Sequence, residues 1–200
     1  MVSDVVGVVL AGGQSRRMGR DKARLEVAGR SLAARALDAL SAVCRDVVLS
    51  GGGSELLVDL DYPVIADRQL GQGPLAGLEA ALAYAQGRAV LVLACDLPRV
   101  DRLVLERLIA SVGDTAALNS AAAEARAWVG SRNGRLQPLC GLYSPHCLSL
   151  VTSRLERGDL AVHSLLAAIE TVAVEYDDLA VDPFLNVNTP AELRAAGGAV

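Results

Sequence analysis

Aromatic side chains are scarce in this 200-residue chain, at 3% of residues with one Trp and one Phe. The base-stacking platforms of many single-strand binders have almost no material here. A basic excess is missing too. The net charge of −4 at pH 7 is opposite to the balance that displaces counterions from a phosphate backbone, so general nucleic-acid binding is excluded. Apolar runs are short: residues 89–95 form one of the longest, far below the roughly 20 needed to cross a bilayer. No basic region precedes the apolar residues 5–10. That segment reads as a first strand and not a signal peptide, and the expected location is the cytoplasm.

Cysteine pairs at metal or redox spacing are also lacking. Cys44, Cys95, Cys140 and Cys147 show no C-x-x-C pattern, and a reducing compartment would keep them as thiols filling the core. A metal site built on Cys140, His146 and Cys147 lacks a fourth ligand at a recognisable spacing. What is present is 52% hydrophobic and 21% charged residues, the profile of one soluble globular domain over residues 1–200. Neither an internal repeat nor a dividing linker is visible.

Short β-branched runs alternate with longer Ala/Leu-rich segments of helical period, the sign of βαβ units in an α/β layer fold with a largely parallel sheet. Strands are expected at residues 5–10, 46–50, 63–66 and 89–95, whose near-continuous apolar character suits strands covered on both faces. Helices are expected at 31–43, 74–86 and 101–111, with Pro74 and Asp101 suited to opening turns. Residues 115–143 are less regular. Asn133-Gly134 favours the positive φ of a tight hairpin, so an antiparallel excursion is expected there. The chain then returns to helix at 145–157, strand at 171–174 and a short helix after Pro190.

The most informative segment follows the first strand: Leu10-Ala11-Gly12-Gly13-Gln14-Ser15-Arg16-Arg17-Met18-Gly19-Arg20-Asp21-Lys22. In open parallel sheets ligands bind at the carboxyl ends of strands. The glycines let backbone N–H groups approach a phosphate, and Arg16, Arg17, Arg20 and Lys22 supply charge for a triphosphate. A polyanionic ligand is implied. G-x-G-x-x-G is absent and no Gly-Lys-Ser/Thr closes a Walker loop. A second feature is Cys95-Asp96-Leu97-Pro98, where Asp96 ends an apolar strand and should project toward the first loop. Its hard oxygens suit Mg²⁺, which takes one or two carboxylates plus substrate phosphates. Asp96 could instead cap the next helix, although Asp101 is better placed to do so.

The run L-A-G-G-x-S-x-R-M-G-x-D-K resembles the signature of the molybdenum cofactor guanylyltransferases, within the wider sugar- and cofactor-nucleotidyltransferases. Further matches follow in order: Asp67 leading to Gly73-Pro74-Leu75-Ala76-Gly77, then Cys95-Asp96-Leu97-Pro98, Gln137-Pro138-Leu139 with Tyr143, and Phe184-Leu185-Asn186-Val187-Asn188-Thr189-Pro190. The resemblance implies a three-layer Rossmann-like nucleotidyltransferase domain with a mostly parallel mixed sheet. It implies Asp96 on the metal, Lys22 and Arg17 on nucleotide phosphates, and Leu10, Ala11, Gly12 and Gly13 along the base and ribose. Asp67 corresponds to an aspartate near guanine, where a carboxylate accepts from N1–H and N2–H; cytosine offers only its N4 amine.

Two departures from the family pattern stand out. Ser50 stands where many members have a base-holding asparagine, and Leu160-Ala161 replace arginine near the pterin side. Asn186 and Asn188 keep the pattern and are expected on the acceptor side or in an Asx-type turn. The implied reaction is Mg²⁺-dependent transfer of GMP from GTP to the phosphate of molybdopterin or the molybdenum cofactor, releasing pyrophosphate. Molybdoenzymes or their chaperones are the expected protein contacts. The alternatives are transfer from CTP or to another phosphorylated acceptor, and a non-catalytic nucleotide-binding partner of a molybdoenzyme.

Overall fold

The computed structural model describes residues 3–11, 22–51, 60–66, 71–120 and 123–198. Its first strand, β1 (Ser3–Leu10), sits in the middle of a seven-stranded sheet. Alternation along β1 explains that place. Val5 and Val9 enter the apolar core on one face, while Val6, Val8 and Leu10 enter the core on the other. In β6 (Val90–Ala94), Leu91 and Leu93 take the first face and Val90 and Val92 the second. A strand with apolar side chains on both faces needs cover on both.

Helices α1 (Leu32–Ser41) and α3 (Arg102–Ala110) cover one face through Leu37, Leu40, Leu105 and Leu108. The other is covered by α2 (Pro74–Tyr84), α5 (Cys147–Glu156) and α6 (Val162–Leu166) through Leu78, Leu82, Val151 and Leu165. Each fully buried leucine contributes roughly 1.5–3 kcal/mol relative to exposure. The result is the expected three-layer α/β architecture.

The complete order is β5-β4-β1-β6-β8-β7-β9, with β4 (Cys44–Ser50), β5 (Val64–Ile65), β7 (Arg126–Arg132), β8 (Arg135–Tyr143) and β9 (Glu170–Glu175). Only β8 runs against its neighbours. The cause is local. Asn133 and Gly134 have φ of 50° and 70°, the mirror-image turn geometry whose twist matches a two-residue hairpin. Register between β7 and β8 shifts after Val129, so that Gly130 pairs with Gln137 while Val129 pairs with Gly141. Pro138, which has no N–H to give a ladder, lies in that irregularity.

Local capping sets several helix starts. Ser31 Oγ accepts from Ala34 N at 3.2 Å, and Asp101 Oδ1 from Val104 N at 3.1 Å. Asp101 therefore caps α3, leaving Asp96 for other work. Four pieces have no expected counterpart: the 3-10 turn at Lys22–Arg24, the hairpin of β2 (Glu26–Val27) with β3 (Arg30–Ser31), α4 (Thr115–Leu118), and α6. They are too short for periodicity to show. No helix among the described residues is long and apolar enough to cross a membrane. All four cysteines are buried and outside any disulfide, and no cluster of three or more metal-binding side chains occurs among the described residues.

Candidate active site

Three parallel strands end at one level, with Leu10 registered against Ser50 of β4 and Ala94 of β6. The chain leaving β1 is tied on both sides. Ala11 N donates to Ser50 O at 2.8 Å, and Cys95 N donates to Leu10 O at 3.1 Å. Leu10 and Ala11 thus form a fixed lip from which the Gly-rich segment departs. Gly12, Gly13, Arg17 and Asp67 lie outside the described residues. Ser50 is 1% exposed, and its carbonyl oxygen holds that lip.

Lys22 brings the chain back. It opens a 3-10 turn over Lys22–Arg24 and is the only lysine in the protein. Its Nζ donates to Asp96 Oδ2 at 2.7 Å and to Asn188 Oδ1 at 2.7 Å. Asp96 is the second residue after the end of β6 at Ala94, so it stands beyond the carboxyl edge of the sheet, as its place in sequence suggests. The Lys22 and Asp96 side chains are 18% and 21% exposed. Partial burial strengthens the pair relative to a surface one without the full desolvation cost of the interior.

The third side of the cluster comes from the segment before α7 (Pro190–Ala195). Val187 N donates to Asp96 O at 2.9 Å, which joins this segment to the end of β6. Asn188 then reaches Lys22. Its carboxamide stands on the lysine beside Asp96. Thr189, not Asn188, caps α7, its hydroxyl accepting from Glu192 N at 3.2 Å. Asn186 is half-buried on the same segment.

Glu192 completes the cluster. Its Oε2 accepts from Asn188 N at 2.8 Å and from the Thr189 hydroxyl at 3.1 Å. Its carboxyl is held below the ordinary value, first by the Asn188 N–H and then by the Thr189 hydroxyl, with the Lys22 charge adding to the effect. Sequence reasoning passed over this residue. The available signal was Thr189-Pro190-Ala191-Glu192, the spacing of a capping box.

The donor set suits a hard divalent cation. A carboxylate oxygen and a carboxamide oxygen converge on one ammonium group, and oxygen ligands few enough to leave room for phosphates are what Mg²⁺ takes. A family model described as the MobA-like NTP transferase domain matches residues 7–174. The chain belongs to this family.

Its enzyme class, nucleotidyl transfer, and its three-layer fold are therefore those of the MobA-like NTP transferases. The molybdenum cofactor guanylyltransferase of Pseudomonas aeruginosa is 34% identical over 191 residues, covering 92% of this chain and 89% of the relative. The enzyme of that name from Desulfosudis oleivorans is 28% identical over 202 residues, covering 98% and 96%. The crystal structure of molybdopterin-guanine dinucleotide biosynthesis protein A from Archaeoglobus fulgidus superposes with a TM-score of 0.78 at 23% identity. It covers 96% of this chain and 97% of that one, and shows the shared fold.

Proposed function

We propose that this enzyme transfers GMP from GTP to the terminal phosphate of molybdopterin, or of the molybdenum cofactor, with Mg²⁺ as the metal. The observation that carries this reading is the Lys22 ammonium, held between Asp96 and Asn188 at the carboxyl ends of β1 and β6. Relatives named guanylyltransferases, similar over nearly their whole length, supply the choice of guanine and pterin.

An oxygen of the acceptor phosphate attacks the α-phosphorus of GTP. The bond from that phosphorus to the bridging oxygen breaks, and pyrophosphate leaves with the electron pair. The acceptor is already an anion, so no general base is needed, and rate comes from alignment and charge neutralisation. Asp96 would hold the metal, which when bound supplies positive charge to the phosphates. Lys22 and Arg17 supply the remaining positive charge. Leu10, Ala11, Gly12 and Gly13 offer backbone groups to base and ribose, with Ser50 fixing the lip. Asp67 reads the guanine edge, and Asn186 and Asn188 face the acceptor phosphate.

The test is incubation with Mg²⁺, the pterin phosphate and each of the four nucleoside triphosphates, with products identified by mass. Guanine dinucleotide from GTP is expected. A cytosine product would assign the enzyme to cytidylyl transfer, and no product from any nucleotide would overturn catalysis in favour of binding alone. Asp67→Ala should lower kcat/KM for GTP by a charge-assisted hydrogen bond, about 1–3 kcal/mol, and spare CTP. An equal fall for both nucleotides would remove Asp67 as the base reader.

A further inference from the structure

Glu192 is linked to the lysine through Asn188 by two consecutive hydrogen bonds. Lys22 Nζ donates to Asn188 Oδ1 at 2.7 Å, and the backbone N–H of the same Asn188 donates to Glu192 Oε2 at 2.8 Å. In an ordinary capping box the glutamate reaches back to the N–H of the capping residue itself. Here the carboxylate is also within reach of the Thr189 N–H, but its strongest contact lies one residue further, where Oε2 accepts from the peptide that carries the site asparagine, and the Thr189 hydroxyl donates to the same oxygen at 3.1 Å.

The helix that bears Glu192 is secured by other means. Leu193 is buried in the main core, the Arg99 guanidinium donates to Ala195 O at 2.9 Å, and Gly198 bridges to Val27 of β2. Removing the Glu192 carboxylate therefore leaves α7 in place and frees mainly the Asn188 peptide. A side chain two bonds from that peptide cannot hold a fixed direction once its backbone is loose.

We propose that Glu192 is a positioning residue of the nucleotidyl-transfer site, gripping the Asn188 backbone so that the carboxamide keeps the Lys22 ammonium beside Asp96. The proposal rests on the reading of Lys22 as the phosphate-binding cation.

Lys22 is the only lysine, so ¹⁵N NMR of the whole protein gives one lysine ammonium signal, and its exchange with water reports how well the group is held. Glu192→Ala should speed that exchange and lower kcat for dinucleotide formation by about tenfold, the usual scale for outer partners of a site, with little change in KM for GTP. Glu192→Gln retains a carbonyl acceptor and should recover most of both properties. In an Asn188→Ala background, Glu192→Ala should cost nothing more, because the intermediary is gone. Asp114→Ala removes the cap of α4, whose following residue Asn119 holds Ala89 at the opposite edge of the sheet; it should lower stability without touching the ammonium signal.

An unchanged lysine signal in Glu192→Ala, or an equal further loss in the Asn188→Ala background, would overturn the proposal. If the wild type makes no dinucleotide at all, guanylyl transfer fails, yet the ammonium signal still decides the role of Glu192.

Discussion

Asp96→Asn tests the site at its centre. The change keeps the shape of the side chain and removes its charge, and Asn Oδ1 can still accept from Lys22 Nζ across the present 2.7 Å. A hydrogen bond to a charged group is worth about 1.5–3 kcal/mol, but both partners remain about a fifth exposed and a neutral acceptor survives. The expected loss of stability is about 1 kcal/mol, a fall in Tm of about 2–4 °C for a chain of this size.

Turnover should suffer far more. Among the described residues Asp96 is the one carboxylate with an ion pair to Lys22, and no cluster of three metal-binding side chains stands by there to replace it. Losing a charge at the transferring phosphate costs about 10²–10³ in rate, or about 3–4 kcal/mol in barrier height. Tm by fluorescence and initial rates of pyrophosphate release at several Mg²⁺ concentrations give both quantities. A variant that unfolds, or one that keeps more than roughly a tenth of the rate, would refute the assignment of Asp96.

Lys22→Ala should lower the same rate by roughly tenfold to a thousandfold, and wild-type turnover would discard the lysine as a phosphate group. Gly130→Ala would place a methyl carbon 2.3 Å from Phe184 Cζ. The ring must move, at about 1–3 kcal/mol of overpacking, and because Phe184 leads into Asn186 and Asn188, both Tm and kcat should fall; an unchanged Tm contradicts the packing. Burial pushes the Cys140 thiol up to about 12 and Cys147 to about 11, from an ordinary 9.0. A raised folded value means full stability below pH 9 that is lost as pH climbs from 9 through those values, at about 1.4 kcal/mol per pH unit per thiol. The buried Tyr143 and Tyr176 phenols shift the same way. Urea unfolding at pH 8, 9 and 10.5 should show that decline, and a flat profile would exclude it.

Much of the scaffold was legible because neighbours along the chain decide it. The two-faced apolar pattern of residues 5–10 and 89–95 marked central strands, Asn133-Gly134 marked the hairpin, and Asp101 marked the start of α3. Each rests on backbone preference or side-chain period over a few residues. Element ends moved by one or two residues, as expected where the last turn is held by caps and not by pattern. Asp96 stands out in sequence for another reason, the hard oxygens that Mg²⁺ takes, and the structure sets its carboxylate against Lys22; the Gly-rich segment beyond Ala11 lies outside the described residues.

Only tertiary structure decided which distant residues meet. Strand β8 inserts between β6 and β7, pairing Cys140 with Leu93, a choice of partner that no local period encodes. Lys22 meets Asp96 across 74 positions and Asn188 across 166. Those meetings follow from the shared level of β1 and β6 and from the backbone bond between Val187 and Asp96. The family pattern alone points Asn188 toward an acceptor or an Asx-type turn, whereas its contact with the lysine depends on where the segment before α7 docks. The sequence by itself determined the layers and the chemical groups available; the docking of the segment before α7 onto the end of β6, through the Val187–Asp96 backbone bond, determined which of those groups act on one another.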